Sequence, residues 1–210
     1  MKRPSTLYAL LILTSVALPS GATQPAPPRP APDQHVEVQK QSGTVEFFAV
    51  GWPSALKIHG KGTGPDGDVH LADGAVSGAI SFDLDTLETG IALRDRHLKE
   101  NYLQTDRYPR ATLKLSKVAL GQLSESAAFK NAAVPFEGVL SLHGAEKPVT
   151  GEARLTRDGS RVQAAASFTI DIRDFNIDLP SYLGITLAEK VQVKVNFSGL
   201  VESSREVAGR

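Results

Sequence analysis

The side chains that could carry acid–base or metal chemistry are five histidines, His35, His59, His70, His97 and His143, and 23 acidic residues. There is no cysteine, which excludes disulfides, thiol catalysis, Cys-based zinc sites and lipid acylation of a cysteine together. The histidines never fall in an H-x-H or H-x-x-E-H spacing, so the sequence predicts no metal site. His59 and His143 stand at polar positions beside glycines and read as surface residues. Gly62-Thr63-Gly64-Pro65-Asp66-Gly67 has the letters of a dinucleotide fingerprint, but such a loop must open a helix facing the phosphates. Here the strand-like Val69 to Leu71 follow, and a glycine-rich hairpin is expected. No G-x-S-x-G elbow, Walker loop or paired-carboxylate motif occurs. Asp95 and His97 are the only candidates for an acid–base pair in one pocket, and no nucleophile is fixed beside them by spacing. No catalytic constellation and no cofactor are therefore expected.

The elements that would position these residues are strands. From Val36 onward apolar residues recur at every second position between Gly, Asp, Asn and Pro breaks. The clearest sets are Val191, Val193, Val195 and Phe197, and Val162, Ala164, Ala166, Phe168, Ile170 and Ile172. Period two places each set on one face of a strand, the signature of antiparallel sheets with one dry and one wet face. Turn signals at Gly64 to Gly67, Asp73-Gly74 and Asp158-Gly159 suit hairpins. Only Ile91 to Leu103 breaks the rhythm. Leu98 and Tyr102, and Arg94, His97 and Asn101, lie at helical spacings, with Asp95/Lys99 and Arg96/Glu100 available as surface ion pairs. A short helix is expected there, inserted between two of nine or ten strands. An all-β fold follows, a closed antiparallel barrel or a sandwich. A small barrel is either filled by side chains or holds one small apolar ligand.

Composition narrows the partners. The 210 residues carry 23 basic and 23 acidic side chains and are 41% hydrophobic. No basic surplus exists for a nucleic-acid partner. Lys2 and Arg3, the apolar run from Leu7 to Leu18 and small residues to Ala22 form a signal-peptide pattern over residues 1–22. The run is too short for an ordinary membrane-spanning helix, so no stable membrane insertion is expected after cleavage. Residues 23–33 are a Pro-rich linker favouring extended chain, 34–204 the barrel domain, and 205–210 a C-terminal tail.

The stretches Ile80 to Asp83, Leu87 to Gly90, Arg94 to Leu98 and Tyr108 to Leu113 resemble the central motif of the YceI-like (polyisoprenoid-binding) family. Gly138 to Gly144 with Lys147 to Val149, and Phe168 to Ile170 with Asp174 to Ile177, resemble its later motifs, in order. The resemblance implies a lipocalin-like antiparallel β-barrel of about eight or more strands with one short inserted helix near the mouth. It further implies a periplasmic protein holding a long isoprenoid or quinone-type lipid, non-covalently, for carriage, storage or sequestration. Combined with strand parity, it puts Phe47, Phe82, Leu84, Leu142, Phe168, Ile170 and Phe197 on the pore wall. Leu98 and Tyr102 are placed near its mouth, and Arg94 and His97 toward a polar head group. Ala164 and Ala166 leave room for a ligand or admit close packing of the helix. Oligomeric state stays open, with a homodimer among the expectations. Two alternatives stay open: a small-substrate enzyme using Asp95 and His97 in the same pocket, and a filled-core protein-interaction module.

Overall fold

The computed structural model describes residues 34–38, 42–52, 56–179, 181–182 and 185–203. The expected signal peptide, Pro-rich linker and tail lie outside the described residues. Among the described residues there are twelve strands: β1 Gln34–Val38, β2 Thr44–Trp52, β3 Lys57–Thr63, β4 Asp66–Ala72, β5 Ala75–Asp83, β6 Arg110–Ala119, β7 Ala128–Leu142, β8 Ala145–Asp158, β9 Arg161–Asp171, β10 Ser181–Tyr182, β11 Ile185–Leu187 and β12 Lys190–Ser203. All pairings are antiparallel. β1, β4, β5, β6, β7, β8, β9 and β12 form a closed ring of eight, because β12 pairs back onto β1.

The strand count exceeds the ring size because two walls are broken. β12 pairs β1 through its last residues and β2 through its first, so β1 and β2 lie end to end along one neighbour. β3 and β4 lie end to end in the same way, opposite β2 and β1. The segment Gly64 to Gly67 is therefore not the hairpin expected from its glycines. It is a bend where one wall strand continues as the next, and the buried Pro65 sits within it. The two breaks lie side by side: a Cβ on Gly64 would come within 2.6 Å of the Gly43 backbone, and one on Gly43 within 1.8 Å of the Asn196 carbonyl oxygen. No side chain fits between these strands. Gly64→Ala is expected to lower stability by about 1–3 kcal/mol, the usual range for overpacking, measured by denaturant unfolding. A loss below about 0.5 kcal/mol would mean the close approach is not fixed.

The hairpins fall where two-residue loops with left-handed backbone are available. Asp73 (φ 50°) and Gly74 (φ 73°) join β4 to β5, and His143 (φ 49°) and Gly144 (φ 76°) join β7 to β8. Both have the double positive φ that matches strand twist. Period two is realised in the burial of β3, where Ile58, Gly60 and Gly62 alternate with exposed neighbours.

The wall is not made of strand throughout. At one end β3 has no second strand beside it among the described residues, and the β5–β6 connection covers that gap. Backbone hydrogen bonds in both directions between Lys61 and Glu88 (2.8 Å each) attach it to β3, and Leu84 N donates to Pro109 O at 2.9 Å. The connection contains a 3-10 turn, Leu84–Thr86, the helix α1, Ala92–His97, and a π turn, Leu98–Leu103. The β6–β7 connection lies at the opposite end, where Leu120 and Leu123 pack on the core.

Candidate functional site

The site is the interior of the barrel at the α1 end, a cavity of about 520 Å³. This is within the range of small-molecule sites, and it rules out a filled core. Inward positions of β2 (Val45, Phe47, Ala49), β5 (Ile80, Phe82), β9 (Ala166, Phe168, Ile170) and β12 (Val191 to Phe197, alternate residues) contribute to the wall. Phe168 sits edge-on to Phe136, ring centroids 6.0 Å apart, which fixes its ring against the barrel floor. Glycines make room: a Cβ on Gly60 would fall 2.0 Å from the Phe47 ring, and one on Gly62 2.6 Å from Phe82. The two phenyl rings lie over bare backbone of β3.

Polar side chains reach this cavity only through Ser81, Thr89, Arg94, His97 and Tyr102, among the described residues. The Ser81 hydroxyl is paired with that of Thr112 at 2.9 Å. The other four belong to the α1 connection, so the cavity is apolar along its walls and polar at its mouth.

The mouth is assembled by one knot of hydrogen bonds. Thr89 N donates to Asp95 Oδ1 at 2.7 Å, and the Thr89 hydroxyl donates to the same oxygen. Arg94 Nε donates to Thr89 Oγ1 at 2.7 Å and Arg94 Nη2 to Thr89 O at 2.8 Å. Asp95 thus ties the loop to the start of α1 and does not form the surface pair with Lys99 expected from their spacing. Neither that pair nor Arg96–Glu100 is an ion pair in the structure. Six residues of α-helix give way to the π turn, whose i→i+5 pattern widens the helix. Leu98, Tyr102 and Leu103 all reach the cavity from it. Gln104, at φ 47°, ends the helix. Among the described residues no hydrogen bond joins Asp95 to His97, and Asp95 Oδ1 accepts from Thr89 instead.

All eleven residues singled out from the sequence line this cavity: Phe47, Phe82, Leu84, Leu142, Phe168, Ile170 and Phe197 on the wall, and Arg94, His97, Leu98 and Tyr102 at the mouth. Ala166 lines it too, whereas Ala164 is buried outside it. Sequence reasoning missed Ala49, which simply continues the Val45 and Phe47 alternation, and Thr89, whose role depends on a partner six residues on. It also missed Ile91 and Leu93. These line the mouth yet are 54% and 57% exposed, and no periodicity marks an apolar residue that stays in solvent.

His143 differs from its expected surface position. It occupies the turn itself, with Tyr108 edge-on at 4.7 Å. Its Nδ1 donates to Phe175 O at 3.0 Å, and its buried Nε2 meets no partner among the described residues. His59 stays outside, stacked on Phe48 and 3.3 Å from Glu46. Near the same turn, the Ser141 hydroxyl (2.8 Å) and Lys114 (3.5 Å) hold the exposed Glu146 carboxyl below its ordinary value of 4.5. Its small contribution to stability is present above that ordinary value and is lost as pH falls through the lowered one.

The described residues form a closed antiparallel β-barrel with an apolar cavity and a helical mouth. The YceI-like domain family matches residues 35–198, and the chain belongs to that family. It is 31% identical over 105 residues to Protein YceI of Shigella flexneri, an alignment covering 47% of this chain and 50% of that protein. The UPF0312 protein YE1254 of Yersinia enterocolitica matches at 31% over 106 residues, with the same coverage. The alignment thus spans about half the length of these curated relatives. Among solved structures, a polyisoprenoid binding domain from Saccharophagus degradans superposes with a TM-score of 0.59 at 14% identity, covering 80% of this chain and 98% of that one. Burkholderia cenocepacia BcnA gives 0.56 at 18%, covering 76% and 96%. At these identities the likeness establishes the shared barrel fold.

Proposed function

We propose that the protein is an exported, periplasmic lipid-binding protein that holds an isoprenoid or quinone-type lipid, with the hydrocarbon inside the barrel and the polar end at the α1 mouth. The observation that carries this reading is the segregation within the cavity: aliphatic and aromatic walls, with hydrogen-bonding side chains gathered at one end. Such a wall rewards burial without imposing direction, which suits a long hydrocarbon. About ten buried CH₂ groups at about 0.8 kcal/mol each supply about 8 kcal/mol before ordering costs, the magnitude of micromolar affinity. The signal-peptide pattern of residues 1–22 supports export. The Saccharophagus structure that shares the barrel fold is described as a polyisoprenoid binding domain, which supports the ligand class. The hydrogen bonds from Thr89 that engage Asp95 support binding over catalysis in this reading.

The experiment is native mass spectrometry of protein purified from its own host, with organic extraction of the bound material. A stoichiometric adduct with an isoprenoid or quinone mass is expected. An empty protein that also refuses added polyprenyl lipid and quinone would refute the reading. Arg94 tests the head-group end. Thr89 takes its Nε and Nη2, leaving Nη1 without a protein partner among the described residues. Arg94→Ala is expected to weaken binding of a lipid with an anionic head by about tenfold, equivalent to one charge-assisted hydrogen bond. Binding of a neutral-headed analogue should change less. Equal losses for both lipids would show that Arg94 only shapes the mouth.

A further inference from the structure

His35 and His70 lie far apart in sequence, yet the register sets them directly opposite one another on β1 and β4. Val38, Val69 and Leu71 on the same strands turn into the core, so the two imidazoles share the outer face. Their Nδ1 atoms are 3.4 Å apart, with ring centroids at 4.8 Å and planes inclined by 44°. That separation is long for an N–H···N hydrogen bond, which prefers about 2.7–3.2 Å. It is close to the roughly 3.3 Å between two nitrogens bound at about 2.0–2.1 Å to one tetrahedral zinc ion. His35 presents its other ring nitrogen, Nε2, to Asp68 Oδ1 at 3.2 Å. A carboxylate on the second nitrogen is the arrangement that fixes the tautomer and raises the basicity of a metal-ligating imidazole. On the other side of β1, the exposed Glu202 of β12 stands opposite His35. No three such side chains already converge on one point among the described residues, so the protein's share is a pair of ligands.

We propose that His35 and His70 form a two-histidine surface chelate for a divalent late first-row ion, zinc in the first instance. Asp68 orients His35, and water completes the coordination within reach of Glu202. The site lies at the end of the barrel away from the cavity mouth and is independent of lipid binding. β1 is the five-residue strand that closes the ring between β4 and β12. An ion held by one histidine from β1 and one from β4 clamps that closure, and an ion that binds only the folded form stabilises it by mass action. Imidazole pairs accept zinc, copper and nickel, whereas magnesium and calcium prefer oxygen ligands.

The test titrates the untagged full chain with zinc chloride against a chromophoric zinc chelator, at slightly alkaline pH, and follows the melting temperature in parallel. One ion per chain and an upward melting shift are expected, neither reproduced by magnesium. H35Q and H70Q, both surface changes, should each fold and lose at least about tenfold in zinc affinity together with the melting shift. H59Q, remote on β3, should leave both unchanged. Zinc affinity unchanged in H35Q and H70Q, affinity lost in H59Q instead, or no ion taken up at millimolar zinc would each overturn the proposal.

Discussion

Ala166→Phe is expected to leave a folded barrel that holds the proposed lipid roughly a hundredfold more weakly. Ala166 points into the cavity from the middle of β9, paired with Ala153 on β8 and Val195 on β12. Small neighbours on one side and open volume on the other let a phenyl ring enter without displacing backbone. Stability should then change by no more than about 1 kcal/mol, below the usual cost of overpacking a filled core. The ring occupies the room of three or four methylenes of ligand. At about 0.8 kcal/mol each the expected loss is about 3 kcal/mol, roughly a hundredfold in affinity. Displacement of a fluorescent polyprenyl or quinone probe, read beside a thermal melt, measures both quantities. A variant that melts like the parent and binds the probe equally well would place the ligand elsewhere.

Phe175→Ala should do the reverse. Phe175 is 1% exposed, the most deeply buried large side chain of the mouth region, and it does not line the cavity. It belongs to a 3-10 turn, Ile172–Phe175, that starts where Arg173 N bonds the Asp171 carboxylate (3.0 Å) and ends at Asn176 with φ 56°. Its carbonyl accepts a hydrogen bond from His143 Nδ1, so the ring and backbone together join the β9–β10 connection to the β7–β8 turn. Removing the ring leaves a void and should cost about 3–5 kcal/mol. That corresponds to about 10 °C in melting temperature for a domain of this size. Lipid affinity of the molecules that remain folded should be unchanged. A loss under about 1 kcal/mol in urea unfolding would mean this end of the barrel repacks freely.

The barrel and its wall were legible because the sequence alternates. Phe168, Ile170 and Phe197 point inward by the same parity that keeps Gln192 and Lys194 outside, and no bulge intervenes between β9 and β12 to invert it. What was not legible depends on contacts between distant residues. Gly64 reads as a hairpin until Gly43 is known to lie against it. Asp95 reads as a partner for Lys99 until Thr89 captures it. His143 reads as a surface residue, since nothing local places Tyr108 and Phe175 around its ring. The pairing of His35 with His70 is likewise invisible without the register of β1 on β4. The mouth was the least readable part because three kinds of turn meet there within one connection.

The wall of the barrel combines two materials. Eight strands are joined by antiparallel ladders into a closed ring, while the span between β3 and β6 is a panel of helix and turns, attached to β3 by a single reciprocal pair of backbone bonds. Local opening of such a panel breaks few contacts and costs far less than unfolding the ring. With the proposed lipid inside, its residence time is expected to follow the panel and the durability of the protein the ladders. Substitutions at the Thr89 knot would tune release, and substitutions around Phe175 would tune endurance, as two nearly separate dials.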